Sequence, residues 1–198
     1  MPARCAGIST GHPPAMGTDR GPGLFAAADV YYLDSGGARA AAVVAADAAF
    51  THVLAEYTAL APEVLPYQPC EFYLRELPPL RAVLHGIAGL GLLVVDGYAD
   101  LDPDGRPGLG AHAHNEFAIP VIGVAKSAFR GATHAIAVRR GTSARPVFVT
   151  AAGMSRHDAA GLVQNMAGRF RVPDALRRAD TLARSGSPGA TQPSHHPH

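Results

Sequence analysis

The chain has 198 residues, of which 47% are hydrophobic and 17% charged, with a formal net charge of +1. That length suits one domain with a full core, and the near-neutral balance argues against a surface coated with basic residues for general nucleic-acid binding. No apolar run reaches the ~20 residues of a membrane-spanning helix. Cys5 and Cys70 are the only cysteines; they cannot build a disulfide framework or a thiolate zinc site, which fits a reducing cytoplasm.

Residues 1–22 are rich in Gly and Pro and lack the continuous apolar stretch of a signal peptide, so they read as a flexible leader. Leu24 to Tyr32 turns apolar and ends in the strand formers Val30-Tyr31-Tyr32, with Asp29 inside it. Ser35-Gly36-Gly37 is a turn, after which Arg39 to Ala46 and His52 to Thr58 complete an antiparallel meander. The alanines of the second segment would suit a helix as well; the turn spacing favours a strand. A proline-stiffened loop, Leu65 to Cys70, exposes Tyr67. A helix follows within Glu71 to Ile87, where Leu77, Leu80, Val83, Leu84 and Ile87 recur at helical spacing. Its first turn is the expected place for Pro78 and Pro79, with Arg75 and Glu76 near the start.

The segment Leu92-Leu93-Val94-Val95-Asp96-Gly97 has the pattern of a strand buried on both faces, and it ends abruptly in a carboxylate and a glycine. Tyr98 to Pro107 reads as a loop with an Asp104-Gly105 turn, and a short helix runs from about Gly108 to Phe117. A second buried run, Pro120 to Ala125, ends in Lys126. His134 to Arg139 and Pro146 to Thr150 are two more strands. Ser155 and Asp158 form a capping box for a helix to about Phe170. Pro173 opens a last helix to about Arg184, and residues 185–198 are a polar tail whose histidines, His195, His196 and His198, either bind metal weakly or, the favoured reading, belong to a disordered end. The order implies an α/β domain over residues 23–184, a mixed sheet with helices on both faces.

Polar groups at the carboxyl ends of buried strands are where open α/β sheets bind ligands. Asp96 and Lys126 are therefore either an acid and a base brought to one edge, or a turn opener and a solvated loop end. An acid inside an apolar strand is costly unless it is paired or bound to metal, so Asp29 is either a ligand or an acid satisfied at a bulge. With Glu76 these acids make an all-oxygen set, which favours Mg²⁺ or Mn²⁺ over zinc and suits phosphodiester chemistry, with Lys126 neutralising charge that develops on phosphate. Gly153-Met154-Ser155-Arg156-His157 lacks the closing glycine of a nucleophile elbow. His112 and His114 lie two apart and face different ways on a helix; His114 reads as a surface residue.

At these residues the chain resembles the endonuclease V family, repair nucleases that act at deaminated adenine (inosine) and have a ribonuclease H-like fold. The likeness spans Leu24 to Arg184. Ala28-Asp29-Val30 is similar to the family's first-strand acid motif, and Pro66-Tyr67-Gln68-Pro69 to its Pro-Tyr-Ile-Pro wedge. Arg75-Glu76 before Pro78, Val95-Asp96-Gly97, Gly108 to His112 and Ile122 to Ser127 follow in order. Arg171-Val172-Pro173-Asp174 leading to Asp180 resembles the closing Arg-Leu-Pro-Glu-Pro segment.

The resemblance implies a Mg²⁺-dependent endonuclease, with Mn²⁺ able to substitute. Asp29, Glu76 and Asp96 would be the metal acids, and Asp180 an outer or second-metal partner. Lys126 would contact the scissile phosphate. Tyr67, with Pro69, would be the wedge, or would simply pack on its loop. Gly97 would admit the flipped base, since glycine presents no side chain there. His112 would also contact substrate, and Asp180 has the alternative of pairing with Arg177 on its own helix. The expected partner is DNA, or single-stranded RNA, met by a cytoplasmic monomer.

Departures from the family pattern bear on specificity. Its Gly-His-Gly-Ile-Ala-His-Pro segment is replaced by Gly97-Tyr98-Ala99-Asp100-Leu101-Asp102-Pro103, where Asp102 would add a metal ligand or repel phosphate. Gly153-Met154-Ser155 stands where Gly-His-Arg is usual, and the short leader stands in place of a long N-terminal helix. Two rival readings follow: a nuclease with another lesion or structure preference, and a catalytically silent nucleic-acid-binding module of the same fold.

Overall fold

The computed structural model describes residues 23–64 and 73–186. The Leu65 to Cys70 loop, with Tyr67 and Pro69, lies outside the described residues. The strands are β1 (Leu24–Tyr32), β2 (Ala38–Ala45), β3 (Val53–Ala61), β4 (Leu90–Asp96), β5 (Val121–Ala125), β6 (Ile136–Val138) and β7 (Val147–Ala152). The helices are α1 (Tyr73–Leu84), α2 (Leu109–Phe117), α3 (Arg156–Asn165) and α4 (Asp174–Ser185). All strands join one sheet in the order β3-β2-β1-β4-β5-β7-β6. The first three form the expected antiparallel meander, β1, β4 and β5 are parallel, and β7 and β6 return antiparallel.

Alternation along the central strands divides the core into two layers. Ala26, Ala28, Leu93, Val95 and Val121 face α1 and α2, where Leu80, Val83, Leu84, Leu109 and Ala113 cover them. Ala27, Val94, Ile122, Val124, Val147 and Val149 face α3 and α4, where they meet Ala159, Val163, Leu176, Ala179 and Leu182. Each fully buried Val, Leu or Ile contributes roughly 1.5–3 kcal/mol, so both covered faces are needed to hold β4 and β5 in the middle of the sheet. Asp29 and Asp96 continue the α4-facing register of Ala27 and Val94.

Several expectations are corrected. Pro78 and Pro79 lie in the interior of α1, not in its first turn. They remove the N–H groups that would bond to the carbonyls of Leu74 and Arg75, and burial of Leu80, Val83 and Leu84 carries the helix through. Helix α3 ends at Asn165, short of Phe170, because Met166 turns extended and Gly168 takes φ +107°. The carbonyls of Met166, Ala167, Gly168 and Phe170 accept instead from the guanidinium of Arg140, which is 3% exposed. Strand β6 is shorter than expected, and β7 runs two residues past Thr150. His114 is half-buried, its Nδ1 2.7 Å from the carbonyl of Ile119, rather than a surface residue.

Candidate active site

Strand register brings the acids together. Ala28 pairs with Val95 across the parallel β1–β4 ladder, so one residue further on Asp29, inside β1, stands beside Asp96 at the carboxyl end of β4. On the other side of β4, Asp96 pairs with Val124, and the chain leaving β5 delivers Lys126, whose Nζ donates to Asp96 Oδ2. Gly123 permits this close approach: a Cβ there would lie 2.4 Å from the nitrogen of Ala99 and 2.7 Å from the oxygen of Gly97. Glu76 arrives from α1 on the opposite sheet face, 8% exposed. Asp29, Glu76 and Asp96 meet along one narrow crevice beside Leu80 and Leu109. Asp180, on α4, adds its charge to those acting on Asp29 and Lys126.

The electrostatics follow from this crowding. Burial pushes the Asp29 carboxyl up to about 7, and the neighbouring Asp96 charge adds to it. Burial likewise raises Glu76 to about 8, with Asp29 and Asp96 repelling its charged form and Arg75 opposing them. For Lys126, burial acts downward, but the hydrogen bond and charge of Asp96, with Asp29 and Asp180, outweigh it and hold the amine above the ordinary lysine value. Among the described residues no three His, Cys, Asp or Glu side chains are gathered so as to hold a metal ion as they stand. Lys126 occupies Asp96, and Arg184 Nε holds Asp180 at 2.9 Å. The expected pairing of Asp180 with Arg177 is not found: Asp180 pairs with Arg184, and Arg177 pairs with Asp174.

Beside the acids is a mostly apolar pocket of about 200 Å³, lined by Tyr73, Gly97, Tyr98, Leu101, Pro107 and Leu109, with Glu76 and Asp96 at its polar side. Gly97 has φ +128° and open space where a Cβ would stand. His112 does not line this pocket; its ring stacks on Tyr73 with centroids 3.5 Å apart, and so buttresses one wall. The opposite wall is fixed by two residues the sequence reading did not single out for this. Tyr98 donates from its hydroxyl to the carbonyl of Ser127 at 2.8 Å and accepts from Phe129 N–H at 3.0 Å. Thr150, fully buried, accepts from Ala99 N–H at 2.7 Å. A hydroxyl in an otherwise apolar central strand is the signal that could have found Thr150. Asp102 is engaged within its own turn, accepting from Arg106 N–H at 2.9 Å and facing its guanidinium at 3.3 Å.

The comparisons with known proteins agree on one family. The family model described as Endonuclease V matches residues 16–181, beginning inside the segment read as a leader. An Endonuclease V of Streptomyces avermitilis is 33% identical over 196 residues, covering 88% of this chain and 85% of that protein. A crystal structure of Endonuclease V from the same organism superposes with a TM-score of 0.71 at 30% identity, covering 84% of this chain and 82% of that one. A Ciona intestinalis Endonuclease V, solved in complex with a 23-mer DNA containing an inosine followed by a ribo-adenosine, shares the fold at a TM-score of 0.68 and 20% identity, over 82% of this chain and 84% of that one. The α/β, ribonuclease H-like class expected from the sequence is therefore the fold observed. With its fold, its length and its sequence in accord, the chain belongs to the endonuclease V family, hydrolases that cut phosphodiester bonds.

Proposed function

We propose that this chain is a divalent-metal-dependent endonuclease that hydrolyses a phosphodiester near an inosine in DNA. One observation supports the reading above the rest: Asp29 and Asp96 stand side by side on parallel strands, with Glu76 and Lys126 closing on the same point. The family is one of metal-dependent nucleases. The donor set fits a hard cation, because two raised carboxyls beside a third are a cluster whose repulsion a cation relieves. Asp29, Glu76 and Asp96 would hold Mg²⁺ or Mn²⁺, with Asp180 further out, and Asp96 would give up Lys126 to do so. When bound, the ion supplies Lewis-acid polarisation of the phosphoryl group and lowers the pKa of water.

The chain's own groups supply the rest. Lys126, released toward the phosphate, offsets the charge that grows on its oxygens as water attacks phosphorus and the P–O bond breaks. One of the three acids accepts the proton of the attacking water. The pocket bounded by Tyr73, Gly97, Tyr98 and Leu109 would take the displaced base; that this is the base of an inosine is supported by family membership and by the DNA held in the Ciona relative. A different lesion is the second reading, favoured by the changed loop after Asp96, in which Tyr98 is anchored to the carbonyl of Ser127.

The deciding experiment is cleavage of a labelled strand carrying one inosine, with Mg²⁺ or Mn²⁺, beside Asp96→Asn. A cut near the inosine that the variant loses establishes the reaction and its acid. A metal-dependent cut only at another lesion supports the second reading. No cut on any strand by folded protein leaves the silent binding module.

A further inference from the structure

The Asp96–Lys126 pair joins two depressions that share no lining residue: Asp96 lines the base pocket, and Lys126 lines an open groove of about 460 Å³. The groove's other walls include Ser143, Phe170, Arg171, Arg177 and Asp180. Its volume is that of a ligand site and its charge is uneven. Asp180 is held by Arg184 at 2.9 Å. Arg171 donates to the main-chain carbonyl of Lys126 at 3.2 Å and has no carboxylate partner among the described residues. Phe170 is 43% exposed, with the guanidinium of Arg177, itself paired with Asp174, 4.0 Å from its ring centroid and that of Arg169 5.1 Å away. The segment that carries this ring is pinned by Arg140, which takes the Phe170 carbonyl at 3.0 Å.

Cations interleaved with an exposed aromatic ring are the composition by which proteins hold single strands: guanidinium groups on phosphates, ring faces on bases. We propose that this groove is a second nucleic-acid subsite, taking the substrate strand on the other side of the scissile phosphate from the base pocket. Arg171 binds the neighbouring phosphate, and Phe170 with Arg177 against its ring stacks the base of that nucleotide. The bond from Arg171 to the Lys126 carbonyl ties this subsite to the reacting phosphate, so strand seated in the groove is in register for the cut. The assignment rests on the nuclease reading of the Asp96–Lys126 site.

The test uses the intact chain and dye-labelled inosine strands, one extending on both sides of the cut and two shortened on either side alone. Binding is read by fluorescence anisotropy in EDTA across a salt series, and cleavage is read with Mg²⁺. Shortening on one particular side should weaken binding about tenfold, and shortening on the other side much less. On the long strand, Arg171→Ala should lower the slope of log affinity against log salt by about 0.7, the value of one single-strand phosphate contact. Arg171→Lys should keep the slope. Phe170→Ala should weaken binding about fivefold or more with the slope unchanged, and Phe170→Tyr should restore it. On the strand shortened on the sensitive side, all of these should match the parent protein. If an alanine variant melts early, Arg171→Gln and Phe170→Leu carry the same readings. A parent protein that cuts at inosine while the variants bind and cut the long strand as it does overturns the groove alone. Variant-dependent binding by a parent that never cuts at inosine upholds the groove and overturns the reaction.

Discussion

Lys126 at the end of β5 donates to Oδ2 of Asp96 at the end of β4, so the amine that would face a phosphate is already bound to one of the acids. The pair exists because β4 and β5 are adjacent and parallel, and because Gly123 lets the chain beyond Asp96 lie directly against β5. Asp96 helps keep the Lys126 amine charged, and each has to release the other for cation and phosphate to enter. Lys126→Met should lower kcat about 10²–10³-fold, the usual cost of losing one preorganised stabiliser of transition-state charge, with a smaller change in KM. Single-turnover cleavage checks this. A variant as fast as the parent would leave Lys126 as nothing more than the partner of Asp96.

The raised carboxyls predict how stability depends on pH without metal. Asp29 is lifted from 3.8 to about 7, and Glu76 from 4.5 to about 8, burial being the first cause of both. The folded chain therefore binds more protons than the unfolded chain between about pH 4 and 8. The stability linked to these two groups is complete below their ordinary values and is lost as pH rises through about 7 and 8. In EDTA, the denaturant midpoint should fall from pH 5 to pH 8.5, and Glu76→Gln should flatten that fall and be the more stable protein at pH 8.5. With Mg²⁺ the trend should oppose this, since binding needs the ionised acids and the thermal gain from metal grows with pH. Equal midpoints for parent and Glu76→Gln throughout would show that Glu76 does not titrate in this window.

Thr150 fixes the wall of the base pocket from within the core. Its hydroxyl takes the N–H of Ala99, and both residues have no exposed surface. Thr150→Val keeps the shape but leaves that N–H buried without a partner, which costs roughly 1–3 kcal/mol. A urea midpoint measures the loss, and Thr150→Ser should recover most of it. If Thr150→Val is as stable as the parent, the loop has rearranged and the pocket has another anchor.

Much of the fold could be read from the sequence because hydrophobic periodicity is strong where burial is two-sided. The Leu92 to Val95 and Val121 to Ala125 runs read as strands buried on both faces, which they are, and their ends at Asp96 and Lys126 pointed to one sheet edge. The meander was legible from its turns. The end of α3 was not, because it is set by Arg140, a distant side chain that collects carbonyls from Met166 to Phe170. Neither was the place of Pro78 and Pro79, since local rules put proline at a helix start and tertiary burial of Leu80 and Val83 overrides them. At the site, Asp29 was visible as a misfit inside an apolar strand, and Glu76 and Asp96 by their places at a helix start and a strand end. Tyr98 and Thr150 were not, because each acts on a segment far along the chain, Ser127 to Phe129 in one case and Ala99 in the other.

Asp102 stands where the family carries a histidine, and the structure gives it work inside its own turn. Its carboxylate accepts from Arg106 N–H at 2.9 Å and faces the Arg106 guanidinium at 3.3 Å, closing the Asp102–Arg106 turn that the Asp100–Pro107 bridge brackets. Both side chains of the ion pair are partly exposed, so the pair contributes at most about 1 kcal/mol. Asp102→Asn keeps an acceptor for the N–H and removes the charge. It should shift stability by less than about 1 kcal/mol, and the Mg²⁺ concentration at half-maximal cleavage or half-maximal thermal gain should stay within about twofold of the parent. Arg106→Ala should behave in the same way. A tenfold rise in the Mg²⁺ requirement for Asp102→Asn, with Arg106→Ala unaffected, would instead make Asp102 a ligand. The pairing with Arg106 would then be the arrangement that metal replaces.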